Sequence, residues 1–346
     1  MLDSRQSLTA IDRRDMLGTI ESMPKHLADG LRRGRMSGLP RFSPKNIVVC
    51  AVGGSAIGGD LLCRWISESS DVQCHVGRAY KVPSFVDKNS LVIVASYSGN
   101  TEETLSMFED ARKKRAKMVA ICSGGKLAEM AEAHSVPYAR IVSGLVPRAS
   151  LGYMFGAMAG IVERIGVISS DKQVEEATRT MTQTIGSCKS SIHTVDNPAK
   201  RLAHELFAFV PVVVGYGLST PVAKRWANQF NENAKSMAYA TELPEMDHNE
   251  LVGWVQDSRS QGFSAVFLEY EHGDEMLKRR SSVTRSMLSK HAPIHIVNAS
   301  GISPLAKMLS LVVIGDFTSA YLGILREQDP SATEPIDELK SILSKK

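Results

Sequence analysis

Cysteine is scarce in this chain, and its spacing matches no metal-binding or redox motif. Five cysteines are present, an odd number, and none of them forms a Cys-x-x-Cys pair. The spacing therefore indicates neither a zinc site nor a disulfide framework. Cys50 and Cys122 lie in apolar runs, and we expect both to be small core residues.

The chain also lacks a strong excess of charge of either sign. Over 346 residues, 41 Lys and Arg stand against 37 Asp and Glu, which gives a net charge of +4. That charge is too small to favour nucleic acid as a partner, but it is compatible with an anionic small substrate. The basic run Arg112–Arg115 has no interleaved aromatic residues and is interpreted as the charged end of a helix.

No apolar segment of the signal-peptide type is present at the N-terminus, where Asp3 and Asp12 occur among several arginines. The most apolar long run, Met308–Leu325, contains Asp316 and several hydroxyl residues. We interpret it as a buried helix and not as a membrane span. These features predict a cytoplasmic protein that needs no membrane.

Alternating apolar runs and helical patterns indicate the fold class. Buried strands are predicted at Asn46–Val52, Leu91–Ala95 and Met118–Cys122, and each is followed by a polar or glycine-containing turn and a helix. This alternation predicts an α/β fold with a parallel sheet flanked by helices on both faces.

The same order of elements recurs in the second half of the chain. Pro211–Ser219 is predicted to form a strand and a glycine turn. Further strands are predicted at Ser264–Leu268 and Ile294–Asn298. Ser219 lies 164 residues after Ser55, at the equivalent point of the pattern. We therefore predict two copies of one α/β unit.

The predicted domains are residues 1–165, with leading helices, and residues 166–346, with linking helices. A final helix from Pro335 to about Leu343 is predicted outside both copies.

Two turns at strand ends could together hold an anion. Gly53–Gly59 follows the first strand and opens a helix, which allows main-chain N–H groups to approach a ligand. Ser96, Ser98 and Thr101 surround a glycine after the second predicted strand. Turns at the carboxyl ends of parallel strands line a ligand crevice, so the two turns together predict a phosphate site. Each alone could be a tight turn or a helix cap.

Two polar clusters in the second half suggest proton transfer. Glu232 is surrounded by amides in Asn228–Lys235, which is unusual for a solvated helix face, and Pro244–Glu250 holds His248. A positioned carboxylate can remove a proton next to a carbonyl, as in triosephosphate isomerase, and a histidine titrates near neutrality. The alternatives are a surface acid paired with Lys235 and a loop histidine that caps a helix.

Four segments together resemble the bifunctional phosphoglucose/phosphomannose isomerases, a prokaryotic branch of the phosphoglucose isomerase superfamily. They are Gly53–Asp60, Ser96–Thr104, Asn231–Lys235 and Leu243–Glu250. The first two are shared by many sugar isomerase (SIS) domains, whereas the last two are far more specific. The resemblance implies two tandem SIS domains of flavodoxin-like αβα fold and an aldose–ketose isomerase that uses neither a metal nor a cofactor.

The resemblance also implies roles for the binding residues. Gly53, Gly54 and Ser55 would lie near the sugar. Ser96, Ser98 and Thr101 would bind the phosphate. The substrates implied are glucose 6-phosphate and fructose 6-phosphate, with mannose 6-phosphate as a further one.

Catalytic roles follow from the same resemblance. Glu232 would carry the proton between C1 and C2, and Arg148 would stabilise the enediolate. His248 and Lys340 would open the sugar ring, with His248 contributed by the partner subunit of a homodimer. Arg148 could instead be a surface ion-pair residue, and Lys340 could be solvated on the last helix.

The approach to the last helix departs from the family pattern. Thr333 would match the residue that leaves room for either C2 epimer, and Ser331 is the competing candidate. Two other functions stay open, namely a sugar-phosphate-binding SIS regulator and a different SIS enzyme. A regulator would usually bring a helix-turn-helix with a basic recognition helix, which the chain does not show.

Overall fold

The structure is a computed structural model of the chain, and it describes residues 1–169 and 171–344. The helices are α1 (Arg5–Ile11), α2 (Met16–Glu21), α3 (Met23–Arg35), α4 (Gly53–Ser67), α5 (Glu102–Lys113), α6 (Gly125–Ala133), α7 (Leu151–Arg164), α8 (Asp171–Cys188), α9 (Pro198–Glu205), α10 (Thr220–Asn233), α11 (Glu250–Gln256), α12 (Glu275–Leu288), α13 (Pro304–Leu325) and α14 (Glu334–Ser344). The strands are β1 (Asn46–Cys50), β2 (Gln73–Gly77), β3 (Ser90–Ala95), β4 (Lys117–Cys122), β5 (Tyr138–Arg140), β6 (Val210–Gly215), β7 (Tyr239–Glu242), β8 (Phe263–Glu269) and β9 (Ile294–Asn298).

The first sheet contains five parallel strands in the order β2-β1-β3-β4-β5. Every residue of β1 and β3 is buried, because helices cover both faces of the central strands. The strand order reverses between β1 and β3, so the loops that follow these strands lie side by side at the carboxyl edge. This switch point is where α/β sheets of this order bind ligands.

The second sheet contains four parallel strands in the order β7-β6-β8-β9. Its order is that of the first sheet without the fifth strand, so the predicted repetition of one α/β unit is confirmed. The carboxyl ends of β6 and β8 form the corresponding switch point.

The chain packs into two compact units. One comprises Ser22–Met181 and Gly301–Met308 and holds the first sheet, and the other comprises Met1–Glu21, Thr182–Ser300 and Leu309–Lys346 and holds the second. The predicted domains, 1–165 and 166–346, stay a prediction, and these units group the chain differently, since α1 and α2 belong to the unit of the second sheet whereas α3 belongs to that of the first. The reason is a long-range contact at the N-terminus, where Asp3 accepts a hydrogen bond at 3.0 Å from the buried ammonium of Lys200.

Three short edge strands, β2, β5 and β7, are absent from the sequence prediction. Few of their residues are fully buried, so their sequences do not form the continuous apolar runs that mark the central strands. One consequence concerns cysteine. Cys63 of α4 and Cys74 of β2 form a disulfide with a Cα–Cα distance of 4.9 Å. The expectation of no disulfide was therefore wrong, because the strand that carries Cys74 was not predicted.

Helices α3 and α7 cross with their backbones in close contact. A Cβ atom on Gly34 would lie 2.1 Å from the carbonyl oxygen of Ala157, and one on Gly160 would lie 2.2 Å from that of Leu31. Only glycine allows so close an approach. This contact holds α7 in place, and α7 directly follows the short 3₁₀ turn Pro147–Ser150 that carries Arg148.

Helix α13 is long and apolar enough to cross a membrane, with a mean hydropathy of 1.7 over its most apolar 18-residue window. However, 89% of that window is buried inside the protein. The burial agrees with the sequence prediction of a buried helix.

Candidate functional site

The loop after β1 leaves helical N–H groups available to a ligand. Helix α4 begins at Gly53, which has a φ of +57°, and its N-cap residue is Val52. A valine side chain carries no acceptor for the N–H groups of the first turn. Gly53, Gly54 and Ser55 thus present main-chain donors at the switch point, as the sequence predicts.

The loop after β3 is folded around the Ser96 hydroxyl. Ser96 Oγ accepts a hydrogen bond from Gly99 N at 3.1 Å and lies 2.9 Å from Thr101 Oγ1. Thr101 occupies the N-cap position of α5, but its hydroxyl bonds to Ser96 and not to the first turn of that helix. Ser98 is exposed, and its Oγ accepts from Asn100 N at 3.3 Å. The alternative in which Thr101 simply caps the helix with its side chain is not what the structure shows.

Direct contacts connect these two loops to the segment that carries Arg148. Ser55 Oγ accepts from Tyr97 N at 3.2 Å, and the Tyr97 hydroxyl accepts from Leu145 N at 2.8 Å. A Cβ atom on Gly54 would lie 3.1 Å from the Cα of Arg148, so these backbones touch. The structure therefore brings three predicted parts of the site together within one unit. They are the glycine loop (Gly53–Gly59), the serine loop (Ser96–Thr101) and Arg148.

Arg148 is almost completely buried, with 2% of its surface exposed. A guanidinium keeps its charge at any physiological pH, and in a poorly hydrated position that charge acts strongly on a nearby anion. The alternative of a surface ion-pair residue is inconsistent with this burial.

Tyr97 was not predicted as part of the site. It is buried, and burial raises the pKa of its hydroxyl above the ordinary value, so the group stays neutral at physiological pH. Its position between two serines of the motif is the only signal in the sequence that could have identified it.

The loop after β4 packs against the serine loop. Gly99 has a φ of +74°, and a Cβ atom on it would lie 1.8 Å from the carbonyl oxygen of Gly124, in the loop after β4. Asn100 Oδ1 accepts from Lys126 N at 3.0 Å, and Ser123 Oγ donates to the Tyr97 carbonyl at 2.7 Å. The serine loop is therefore held by direct contacts with the loop after β4.

The switch point of the second sheet is filled by aromatic side chains. Tyr216 and Tyr270 stack with ring centroids 5.0 Å apart, and the Tyr270 hydroxyl accepts from Leu218 N. The hydroxyl of Tyr216 donates to Glu269, and burial together with this bond raises its pKa. Ser219, the counterpart of Ser55, bonds to main-chain atoms of its own unit. Anion binding at the switch point is thus supported for the first sheet alone.

Glu232 lies in the last turn of α10 and is half-buried. The Lys235 ammonium donates to the main-chain carbonyl of Glu232 at 3.0 Å and to that of Asp329. Asn231 Nδ2 donates to the carbonyl oxygens of Ala227 and Ala238. The lysine and the amide that flank the carboxylate therefore fix the end of the helix on which it stands.

His248 ends a 3₁₀ turn, Glu245–His248, on the surface of its unit. The neighbouring Asp247 anchors this turn, since its carboxylate accepts from Thr284 at 2.8 Å and from Arg280 at 3.1 Å. His248 itself is exposed, and its side chain makes no hydrogen bond or ion pair with any other residue that the structure describes. The turn holds the imidazole outward, where a ligand or a second chain could reach it.

The candidates near the C-terminus are placed differently from one another. Lys340 is exposed on α14. The Thr333 hydroxyl donates to Asp337 at 3.1 Å at the start of the same helix. Ser331 is buried, with 2% of its surface exposed. The choice between Thr333 and Ser331 as a sugar contact stays open.

Two protein-family models match the chain. The model described as SIS domain matches residues 42–156, and the one described as bacterial phospho-glucose isomerase C-terminal SIS domain matches residues 195–343. Each matched range contains one of the two sheets.

Several relatives are similar over most of their length. A bifunctional phosphoglucose/phosphomannose isomerase of Caldicellulosiruptor bescii is 37% identical over 86% of this chain and 89% of its own. One of Aquifex aeolicus is 35% identical over 87% of this chain and 91% of its own. A D-glucosamine-6-phosphate 4-epimerase of Sulfolobus acidocaldarius is 30% identical over 60% of this chain and 63% of its own.

Solved structures share the fold at low identity. A hypothetical protein from Thermus thermophilus superposes with a TM-score of 0.76 at 16% identity, covering 99% of this chain and 92% of its own. The C-terminal domain of glucosamine-fructose-6-phosphate aminotransferase from Francisella tularensis gives a TM-score of 0.71 at 15% identity, covering 92% and 98%.

Proposed function

The chain belongs to the family of bifunctional phosphoglucose/phosphomannose isomerases, and we propose from that premise that it interconverts glucose 6-phosphate, fructose 6-phosphate and mannose 6-phosphate. The observation that carries the proposal is the identity with isomerases of this name along most of both chains. The predicted reaction is a proton transfer through a cis-enediolate, with no role for a metal or a cofactor.

The serine loop is proposed to hold the phosphate group. Ser98 is exposed, Thr101 is partly exposed, and the first turn of α5 adds main-chain N–H groups. Ser96 keeps the loop in shape through its bonds to Gly99 and Thr101. The sugar would then extend towards Gly53, Gly54 and Ser55, whose loop contacts Tyr97 directly.

Ring opening requires an acid and a base at the ring oxygen and at O1. His248 and Lys340 are both exposed and chemically suited to move these protons. Their roles are supported by the match with the family and by the absence of competing contacts for His248 within the described part of the chain.

Isomerisation then requires a base at the C1–C2 bond and a cation near the developing oxyanion. Glu232 is the proposed base, because it is partly shielded and stands on a helix end that several bonds fix. Arg148 is the proposed cation, because a buried and permanently charged guanidinium stabilises an enediolate without reorganisation. Such a fixed charge contributes about 3 kcal/mol to lowering a barrier of this kind.

A homodimer with His248 supplied by the partner subunit is part of the proposal. Support comes from the outward position of this side chain and from an apolar stripe on α14. Ile336, Leu339 and Ile342 are 40%, 56% and 56% exposed and recur at helical spacing. A second copy of the chain would cover such a face. A cytoplasmic location stays a prediction.

A coupled assay tests the activity. The wild type and Glu232→Gln would be supplied with fructose 6-phosphate, mannose 6-phosphate and glucosamine 6-phosphate, with the exposed acid variant Glu275→Gln as a matched control. We expect turnover of the first two substrates by the wild type and the control, and loss of both activities in Glu232→Gln. A regulator would bind all three without turnover, and an epimerase would act on the aminosugar alone.

Mixing two inactive variants tests the dimer. If His248 acts across the interface, Glu232→Gln and His248→Ala chains together form one complete site in each mixed dimer. Random mixing would then restore about a quarter of the wild-type activity. Mixtures that stay inactive, although light scattering shows mixed dimers, would contradict the shared site.

A further inference from the structure

Helix α10 is joined to α13 by a ladder of buried polar side chains. Arg225, Gln229 and Asn233 recur every four residues and lie on one face of α10. Arg225 Nε and Nη2 donate to the two carboxylate oxygens of Asp316 at 2.9 and 2.6 Å, and Gln229 Nε2 donates to Asp316 Oδ1 at 3.1 Å. Asn233 Nδ2 donates to Ser319 Oγ at 3.0 Å.

Burying this ladder between two helices requires a large free energy of desolvation. Its five side chains are between 0% and 2% exposed, and α13 is otherwise strongly apolar. A buried ion pair is often no more stabilising than apolar residues of the same volume, because both charges must leave water. Hydrogen bonds are directional, however, whereas apolar contacts tolerate sliding and rotation. The ladder therefore contributes a defined rotation and register of α10 against α13 more than it contributes stability.

The ladder ends next to Glu232. Asn233, its last member, is the following residue, and the backbone of α10 touches α13 at the same level. A Cβ atom on Gly323 would lie 2.4 Å from the carbonyl oxygen of Asn233. At the other end, Trp226 Nε1 donates to the Leu311 carbonyl at 2.8 Å. Successive turns of α10 are thus fixed up to the residue beside the carboxylate.

We propose that Asp316 is a positioning residue, which through Arg225 and Gln229 holds α10 in the register that places the Glu232 carboxylate for proton transfer. This inference rests on the proposed function of Glu232. A displacement of about 1 Å in a reacting group can cost on the order of 100-fold in rate, so a small rotation of α10 is sufficient to matter. The ladder also accounts for two of the amides near Glu232, namely Gln229 and Asn233.

The test replaces the ion pair without leaving a buried charge. The double variant Arg225→Met/Asp316→Leu removes both charges at similar volume but leaves Gln229 Nε2 without its acceptor, so it is expected to fold with a modestly lowered thermal midpoint. We expect its kcat on fructose 6-phosphate to fall roughly 10- to 100-fold. The KM is expected to stay within about threefold, because neither substituted side chain is one of the proposed phosphate-binding residues.

A smaller variant and a matched control accompany the double variant. Ser319→Ala removes the acceptor of the last step of the ladder, together with the bond that Ser319 Oγ donates to the Asp316 main-chain carbonyl within α13, and we expect kcat to fall about threefold or more. Thr318→Val removes a buried hydroxyl of the same helix that bonds to the Ile314 carbonyl within α13, and we expect kcat to be unchanged. This pair separates loss of positioning from a general effect on α13, even if the double variant fails to fold.

Glu232→Gln, assayed in parallel, separates failure of the positioning role of Asp316 from failure of the proposed function. If Glu232→Gln is inactive while the double variant and Ser319→Ala both keep the wild-type kcat, the positioning role is overturned and the proposed function stands. Losses of kcat that are equal in Thr318→Val and Ser319→Ala would overturn it as well. If Glu232→Gln is fully active, the proposed function itself fails.

Discussion

Gly99→Ala is expected to disrupt the serine loop through two effects that the structure separates. The residue has a φ of +74°, which disfavours any side chain by about 1–2 kcal/mol. The new Cβ would also lie 1.8 Å from the Gly124 carbonyl oxygen, and backbone must move to relieve this overlap, at a further cost of about 1–3 kcal/mol. The chain offers a matched control in Gly38→Ala, since Gly38 has a φ of +82° with open space around its Cβ position.

Urea unfolding and steady-state kinetics check this prediction. We expect Gly38→Ala to lower the free energy of unfolding by about 1–2 kcal/mol with KM unchanged. Gly99→Ala should lower it by at least about 1 kcal/mol more and raise the KM for fructose 6-phosphate roughly tenfold, because the loop that holds the phosphate is displaced. Equal losses of stability in the two variants, with the wild-type KM in both, would show that the contact between Gly99 and Gly124 does not shape the phosphate-binding loop.

Three further predictions concern stability. Gly160→Ala should lower the free energy of unfolding by about 2 kcal/mol, because the new methyl group forces α3 and α7 apart. Gly186→Ala, which lies in open space on α8, is the control and should raise the free energy of unfolding slightly. Urea unfolding of both variants checks this prediction. Cys63→Ser, which removes the disulfide, should cost up to about 3 kcal/mol under oxidising conditions and nothing under strong reduction. For Asp3, burial raises the pKa, but the bonds from Lys200 and Thr194 outweigh it and lower the pKa to about 2. The ion pair therefore stabilises the fold above the unfolded pKa near 4, and the stability gap between the wild type and Asp3→Asn should narrow as the pH falls from 6 towards 2.

The sequence predicts the central strands and the edge strand β9 well, but it misses the edge strands β2, β5 and β7. Continuous apolar runs identify β1, β3, β4, β6 and β8 because both faces of these strands are covered by helices. Edge strands such as β2 are exposed on alternate residues and have no such signature. The disulfide was missed because the odd number and the spacing of the cysteines argued against one, and the strand that brings Cys74 close to Cys63 was not predicted.

The candidate site divides in the same way. The glycine loop, the serine loop and Arg148 are local motifs, and the parallel sheet brings them together without further information. Tyr97 and Asp316 act through contacts between distant segments, so their roles become visible only when the packing is known. The apolar run around Asp316 predicts its burial correctly, but nothing in that run indicates Arg225 as its partner.

The central claim is that Glu232 moves a proton between C1 and C2 of an opened hexose phosphate. Exchange of the C1 hydrogen of fructose 6-phosphate in D₂O, followed by NMR, tests it most directly. We expect the wild type to exchange one C1 hydrogen alongside isomerisation, and Glu232→Gln to lose exchange and isomerisation together by about 10²- to 10⁴-fold. Exchange at the wild-type rate in Glu232→Gln would show that a group other than Glu232 moves this proton.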